Sequence, residues 1–280
     1  MPIWKCDCLP VRSGTKPQQR KGREMDTGIY ELDRETNGLQ NGHLIVLGGR
    51  PSMGKTSFAL RIVSHVSVLG EAATLFFSLE QGAEALVNRM ISMESGIDAR
   101  KMRNGQLTGP DFERLLEAAV RISRTSNLVI DDAQGLSVDE IAKKSHSVNE
   151  KKQVGLIVID YFQLMAVDDR TKALRRLKQL AEEIGCPVLL LSQISNACDK
   201  REDHRPTISD WEAESETAEI PDDIFFLYRN DYYSIGKNDS SPVELIVAKH
   251  ADRGPFTIAI KGTELRLSAQ DTDNDISGKK

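Results

Sequence analysis

At 280 residues the chain is long enough to bury a substantial core, and it fits one large α/β domain or two small ones. A net charge of −5 excludes a globally basic protein, so any hold on nucleic acid must be local. The four cysteines, Cys6, Cys8, Cys186 and Cys198, have neither C-x-x-C spacing nor neighbouring histidines, which argues against a zinc site or a disulfide framework; with no apolar run of membrane-span length and no signal-peptide core after Met1, a soluble cytoplasmic protein with no membrane partner is expected.

Residues 1–24 are polar and locally basic (Lys5, Arg12, Lys16, Arg20, Lys21, Arg23), and Pro, Gly and Gln break any periodicity. This predicts a flexible arm, either a solvated tail or a local hold on nucleic acid. From 25 to 267 apolar runs alternate with amphipathic stretches. Strands are expected near 44–48, 73–78, 127–131, 155–160, 187–192, 223–228, 243–249 and 256–260, with helices at about 54–69, 81–94, 110–123, 137–150 and 170–184. The fourth helix opens on Ser137-Val138-Asp139-Glu140, a capping-box pattern, and the fifth sets Leu174, Leu177, Leu180 and Ile184 on one face. Such alternation predicts an α/β fold: a mostly parallel twisted sheet flanked by helices, with ligands at the carboxyl ends of its strands. The late strands follow one another without helices, so an antiparallel extension is expected at one edge. Residues 268–280 are expected to form a disordered polar tail.

Directly behind the apolar run Leu44-Ile45-Val46-Leu47 stands Gly49-Arg50-Pro51-Ser52-Met53-Gly54-Lys55-Thr56, a complete G-x-x-x-x-G-K-[ST] phosphate loop, followed by Ser57. Glycines at both ends let the backbone curl so that amides point at phosphate oxygens; Lys55 supplies a point charge and Thr56 a hydroxyl for Mg²⁺. The helix that follows adds the positive end of its dipole. A glycine turn that merely carries Lys-Thr would not need strand, loop and helix in this order. Residues 49–57 are therefore the expected site for ATP.

Three further strands end in polar groups. Leu156-Ile157-Val158-Ile159-Asp160 delivers a carboxylate suited to hold Mg²⁺ through water. Phe76-Phe77-Ser78-Leu79-Glu80 delivers a second, which either orients and deprotonates the attacking water or stabilises the start of the next helix. Pro187 to Gln193 ends in an amide that either touches the γ-phosphate or satisfies loop backbone. Tyr228, Tyr232 and Tyr233 either stack on a base or pack. The five histidines are scattered and none is assigned to a metal.

At this point the chain resembles a known family. Thr27-Gly28-Ile29, Leu32-Asp33, Thr36-x-Gly38-Leu39, the Arg-Pro-Ser-Met insert of the phosphate loop, Phe77-Ser78-Leu79-Glu80, Ile159-Asp160-Tyr161-Phe162-Gln163-Leu164-Met165 and Leu191-Ser192-Gln193 are similar, in order from about 26 to 262, to the motor domain of DnaB-type replicative helicases. The resemblance implies a RecA-like P-loop NTPase and a ring, usually of six identical subunits, that hydrolyses ATP between neighbours and moves on single-stranded DNA at a replication fork. Loader or primase-type proteins are further partners it implies. Glu80 becomes the catalytic base, Asp160 and Thr56 the magnesium ligands, and Gln193 the sensor. Lys249 matches the lysine that the family supplies to a neighbour's γ-phosphate.

The chain also departs from the family's pattern. The helical domain that the family carries ahead of its motor is absent by this reading, and the loop between Met165 and Leu177 is short. Where the family reads Ser-Asp-Leu-Arg-Glu-Ser-Gly in a channel loop, this chain reads Ser209-Asp210-Trp211-Glu212-Ala213-Glu214-Ser215-Glu216, with Glu219, Asp222 and Asp223 following, so an acidic segment that repels a phosphate backbone is expected. The family's Lys-x-Arg-Asn-Gly-Pro appears as Lys249-His250-Ala251-Asp252-Arg253-Gly254-Pro255; Arg253 takes over the arginine's task if the hairpin carries a one-residue bulge. Two functions remain: a DNA-dependent motor, or an ATP-binding assembly or regulatory module that acts on a protein partner.

Overall fold

A strand buried on both faces is apolar at nearly every position; five runs of this chain are buried in this way, Asp223–Tyr228 to one side and four adjacent to one another. In the computed structural model, which describes residues 24–69, 73–124, 127–211, 215–233, 242–250 and 253–261, these four form the centre of a sheet. They are β3 (Leu44–Gly49), β4 (Ala73–Ser78), β6 (Val154–Asp160) and β7 (Val188–Gln193), and all but Gln193 are buried. Around them lie β5 (Leu128–Asp131), β8 (Asp223–Tyr228), β9 (Val243–Lys249) and β10 (Phe256–Ile260), giving the spatial order β10-β9-β8-β3-β7-β6-β4-β5. Pairing is parallel from β8 to β5; only β9 and β10 run antiparallel. The expected antiparallel edge is therefore present, but it begins at β9: β8, although it follows no long helix, still lies parallel to β3.

Side chains alternate across this sheet into two cores. Ile45, Leu47, Leu156, Val158, Leu189 and Leu191 face one side, packed beneath α1 (Tyr30–Thr36), α2 (Lys55–Leu69), α3 (Ala83–Ser95) and the end of α5 (Gly109–Arg124). Leu44, Val46, Ile157, Ile159, Val188 and Leu190 face the other, covered by α6 (Val138–Asn149) and α7 (Arg170–Ile184). The period of two within each strand and the two covered faces are the same fact seen twice. Leu174, Leu177 and Leu180 are fully buried and Ile184 packs at their margin, while Ser137 and Glu140 form both hydrogen bonds of the capping box.

Six short strands and α-helices of the described residues have no counterpart among the expected ones, four of them before residue 104. β1 (Glu24–Met25) pairs with β2 (Leu39–Gln40), so Glu24, read as the end of the arm, is already in a strand; α1 lies between them. Asp33 fixes the start of α1 by accepting from the Thr27 amide (2.8 Å), the Thr27 hydroxyl (2.7 Å) and the Gly28 amide (3.1 Å). The fourth is α4 (Ala99–Arg103), capped by Asp98. Two- to seven-residue pieces show too little periodicity to be read from a sequence. The rest of the expected arm and the tail over 268–280 lie outside the described residues, as do Cys6 and Cys8.

Gly48, one residue before the phosphate loop, sets how closely β8 approaches β3. A Cβ there would stand 2.6 Å from ring carbons of Phe226, which is itself fully buried. Gly48→Ala is expected to lower the unfolding free energy by about 1–3 kcal/mol through overpacking. The measurement is urea unfolding, with a lower midpoint at unchanged slope; an unmoved midpoint would mean the Phe226 ring can yield.

Candidate nucleotide site

Because β3, β7, β6 and β4 are adjacent and parallel, their carboxyl ends open on one edge of the sheet, and a cleft lies there. Pro51, Ser52, Gly54, Lys55, Thr56, Glu80, Gln81, Arg89, Asp160, Tyr161 and Gln193 line it. The phosphate loop turns on positive φ at Ser52 (61°) and Gly54 (92°). Its apex is pinned by Met53, which is buried in the core rather than turned to the cleft. The Lys55 ammonium donates to the Gly49 and Arg50 carbonyls (2.9 and 3.0 Å), which keeps it inside the curl of the loop. Ser57 is buried on α2.

Asp160 ends β6, opposite Ser78 in the register with β4, so Glu80 stands just beyond on the neighbouring tip. The Thr56 hydroxyl donates to Asp160 Oδ2 at 2.8 Å. Burial pushes the Asp160 carboxyl above the usual range, opposed by that hydrogen bond and by the charges of Lys55 and Arg89. A hydroxyl and a carboxylate in contact at the base of a phosphate loop suit Mg²⁺, a hard ion that takes few protein oxygens and keeps several waters. Among the described residues no group of three or more His, Cys, Asp or Glu could hold a metal instead. Glu80 is exposed at the rim.

Gln193 pairs in register with Gly49 and lines the cleft. Its backbone is held by the amide of Gln163, which accepts from the Gln193 N–H (3.1 Å) and donates to its carbonyl (2.9 Å). Sequence reasoning gave Gln163 no role; it sits three residues past Asp160 in the 3-10 turn Phe162–Leu164, and nothing short of the fold says which strand it meets. Arg89 and Gln81 were missed too. The only signal was a cation on the helix that directly follows an acid-tipped strand.

Two expected groups are occupied elsewhere. The Arg50 side chain pairs with Asp199 (2.9 Å) and donates to the Ile194 carbonyl, so only the loop backbone of Arg50 belongs to the cleft. Tyr233 stacks on His204 (4.3 Å between ring centroids) and on Tyr228 (6.0 Å), Tyr232 meets Tyr233 edge-on, and Arg205 lies over Tyr228. These tyrosines pack, which was the plainer of their two readings.

Residues 24–261 match the DnaB-like helicase C terminal domain. The chain belongs to that family. It is 38% identical over 243 residues to the replicative DNA helicase DnaC of Bacillus subtilis (strain 168), covering 84% of this chain and 53% of that protein, and 38% identical over 238 residues to the replicative DNA helicase DnaB of Geobacillus stearothermophilus, covering 82% and 52%. It thus spans about half the length of the curated relatives it matches. Among solved structures, one of an ATPase domain by itself superposes with a TM-score of 0.78 at 32% identity, covering 85% of this chain and 88% of that one. A DnaB-like replicative helicase studied for its interactions with primase gives 0.79, at 32% identity over 87% of this chain and 62% of that one. The fold is RecA-like, as expected.

Against this DnaB-like frame, Lys249 and Arg253 lie far from their own cleft. Lys249 pairs with Ile224 at the amino end of β8, the sheet edge opposite the phosphate loop. Its ammonium donates to the carbonyls of Ala218 (3.3 Å), Glu219 (2.8 Å) and Pro221 (2.6 Å) around the end of α9 (Ser215–Glu219), and burial lowers its pKa. Arg253 donates to the carbonyl and carboxylate of Glu35 (2.8 and 3.1 Å). The bulge on which Arg253's task depended is not in the β9–β10 ladder, whose register runs unshifted on to the His250–Arg253 bridge; the shift lies between β8 and β9, at Ile224/Phe225. Ala251 and Asp252 lie outside the described residues.

The acidic stretch also differs from expectation. Glu212 to Glu214 lie outside the described residues, but three of the other acids hold cationic partners: Asp210 with Arg201 (2.5 Å), Glu216 with Arg175 (2.5 Å) and Asp222 with Lys178 (2.7 Å). Buried Asp223 sits between His43 (2.9 Å) and His250 (2.5 Å), and its hydrogen bond raises the His43 pKa. The three carboxylates paired with Arg or Lys are compensated within the chain, so the negative field counted from sequence is overstated.

Asp160 yields a pH test. A carboxyl held above its ordinary value favours folding when protonated; that stability is full below the ordinary range and is lost as pH rises through the raised value. Asp160→Asn keeps an acceptor for Thr56 and removes the buried charge. In metal-free buffer it is expected to raise Tm near pH 7, the gain vanishing toward about pH 4. A pH-independent difference in Tm would sink this account.

Proposed function

We propose that this chain is the motor of a DnaB-type helicase, over 25–267, which hydrolyses ATP at the subunit interfaces of a homo-hexameric ring and moves on single-stranded DNA during replication in the cytoplasm. The observation that carries the reading is the convergence of Lys55, Thr56, Asp160, Glu80 and Gln193 on one cleft in a chain of this family. A pure binding module has use for the phosphate loop but none for an acid at the rim.

The chemistry follows from the placement of each group. Loop amides and the Lys55 ammonium, turning from its carbonyls, grip the triphosphate of ATP. Thr56 and Asp160 would hold Mg²⁺, whose charge would favour the ionised form of the Asp160 carboxyl. When bound, the ion would supply charge neutralisation at the triphosphate. Glu80 orients a water for in-line attack and takes its proton; Gln193, fixed by Gln163, contacts the γ-phosphate. Lys249, at the opposite edge of its own sheet, acts on a neighbour's phosphate after leaving its present carbonyls; Arg253, on an unbulged hairpin and so out of the family's register, joins it only by swinging away from Glu35. A primase or loader is the expected partner class, by analogy with the DnaB-like structure that was studied with primase.

One observation favours the regulatory reading instead. Both trans-acting cations are held within the chain, and the family's arginine position is Ala251. Turnover with and without single-stranded DNA separates the two. The motor requires about tenfold or greater stimulation, equivalent to ~1.4 kcal/mol of barrier; indifference to DNA would leave the regulatory module.

Two variants test the roles. Glu80→Gln should lower kcat by about 100-fold or more while nucleotide affinity stays near that of the parent, whereas Lys55→Ala should lose affinity itself. Arg253→Ala should cost about tenfold or more in turnover with little change in affinity, the signature of an arginine finger; an unaltered kcat would remove Arg253 from the site.

A further inference from the structure

The segment on which the family carries Leu and this chain carries Trp211 reaches the nucleotide cleft by a single hydrogen bond. Trp211 ends α8 (Ile208–Trp211) and is buried, with its indole N–H donating to the Ser192 hydroxyl at 2.9 Å. Ser192 is fully buried and immediately precedes Gln193. The same hydroxyl oxygen accepts from Gln163 Nε2 (2.9 Å) and donates to the Gln193 carbonyl (3.3 Å). Two lone pairs and one proton are thereby all used. Gln163 closes the loop by holding both backbone groups of Gln193. A leucine would fill the indole's place and offer no donor.

The other end of the link is equally fixed. Asp210 accepts from two guanidinium nitrogens of Arg201 (2.8 and 2.5 Å) and from the Thr207 amide and hydroxyl (2.7 and 2.8 Å), and its carbonyl accepts from the Ser195 amide (2.8 Å). Trp211 is thus a rigid extension of a clamped turn, so a shift of the Gln193 tip must either drag the indole or break its hydrogen bond.

We propose that Trp211 is a positioning residue for Gln193: acting through Ser192, it sets the amide's place in the cleft and couples the chain beyond residue 211 to the nucleotide state. This rests on the nucleotide reading of the cleft given above. It also makes Trp211 a built-in optical reporter, since Trp4 is the one other tryptophan of the sequence.

The test uses the full chain carrying Trp4→Phe, whose emission then comes from Trp211 alone and which needs no change at the link. Binding of Mg-ATP analogue is measured separately by equilibrium dialysis. Saturating analogue is expected to shift the Trp211 emission. Trp211→Phe and Ser192→Ala, each made in the parent chain, are expected to lower kcat by about fivefold with KM within about twofold, and the double variant to be no worse than either single, because one shared hydrogen bond can be lost only once. Analogue that binds without moving the emission, parental turnover in both single variants, or losses that multiply in the double variant would each overturn the role of Trp211 and leave the nucleotide reading standing. Failure of the analogue to bind would remove both.

Discussion

Parallel alignment of four strands covered on both faces is the constraint on which everything else rests. β3, β7, β6 and β4 can lie side by side only because helices cover both faces, and being parallel they all finish on one edge. The phosphate loop, the amide of Gln193, the carboxylate of Asp160 and the acid of Glu80 are each no more than the next polar residues after an apolar strand. Their meeting is a consequence of strand order, which puts the loop at the tip of β3 and the two acids at the adjacent tips of β6 and β4, with only β7 between, although these strands are distant in sequence.

That arrangement has a local cost in stability. A carboxylate at the base of a buried strand loses hydration, and Asp160 recovers only part of it from Thr56, Lys55 and Arg89. The core around it is continuous and well filled, so the fold tolerates one unfavourable charge where chemistry requires it. The same burial excludes bulk water and strengthens whatever cation–phosphate contacts form in the cleft.

The sheet has a second polar edge, reached through its antiparallel extension. Reversal at β9 carries Lys249, His250 and Arg253 to the end of the sheet opposite the phosphate loop. There they meet carbonyls, Asp223 and Glu35. One chain therefore presents a phosphate cleft on one edge and a cationic hairpin on the other. Such a division suits a repeating head-to-tail assembly, in which each interface joins unlike edges of two copies.

The sequence by itself determined the eight sheet strands, the long helices and most of the residues that line the cleft. Runs such as Leu156 to Ile159 and the heptad-like spacing of Leu174, Leu177 and Leu180 declare burial locally, and the spacing of Gly49, Gly54, Lys55 and Thr56 declares a phosphate loop without help from distant residues. Short pieces such as β1, β2 and α1 escaped because their stability comes from Asp33 and from pairing, not from periodicity. Only the tertiary structure decided that Gln163 fixes Gln193, that Arg50 turns to Asp199, and that the acids at 210, 216, 222 and 223 are paired. The physical reason is the same in each case: a backbone preference or a phosphate loop is a property of a few consecutive residues, whereas a hydrogen bond or ion pair across dozens of positions exists only once the strands have chosen their neighbours.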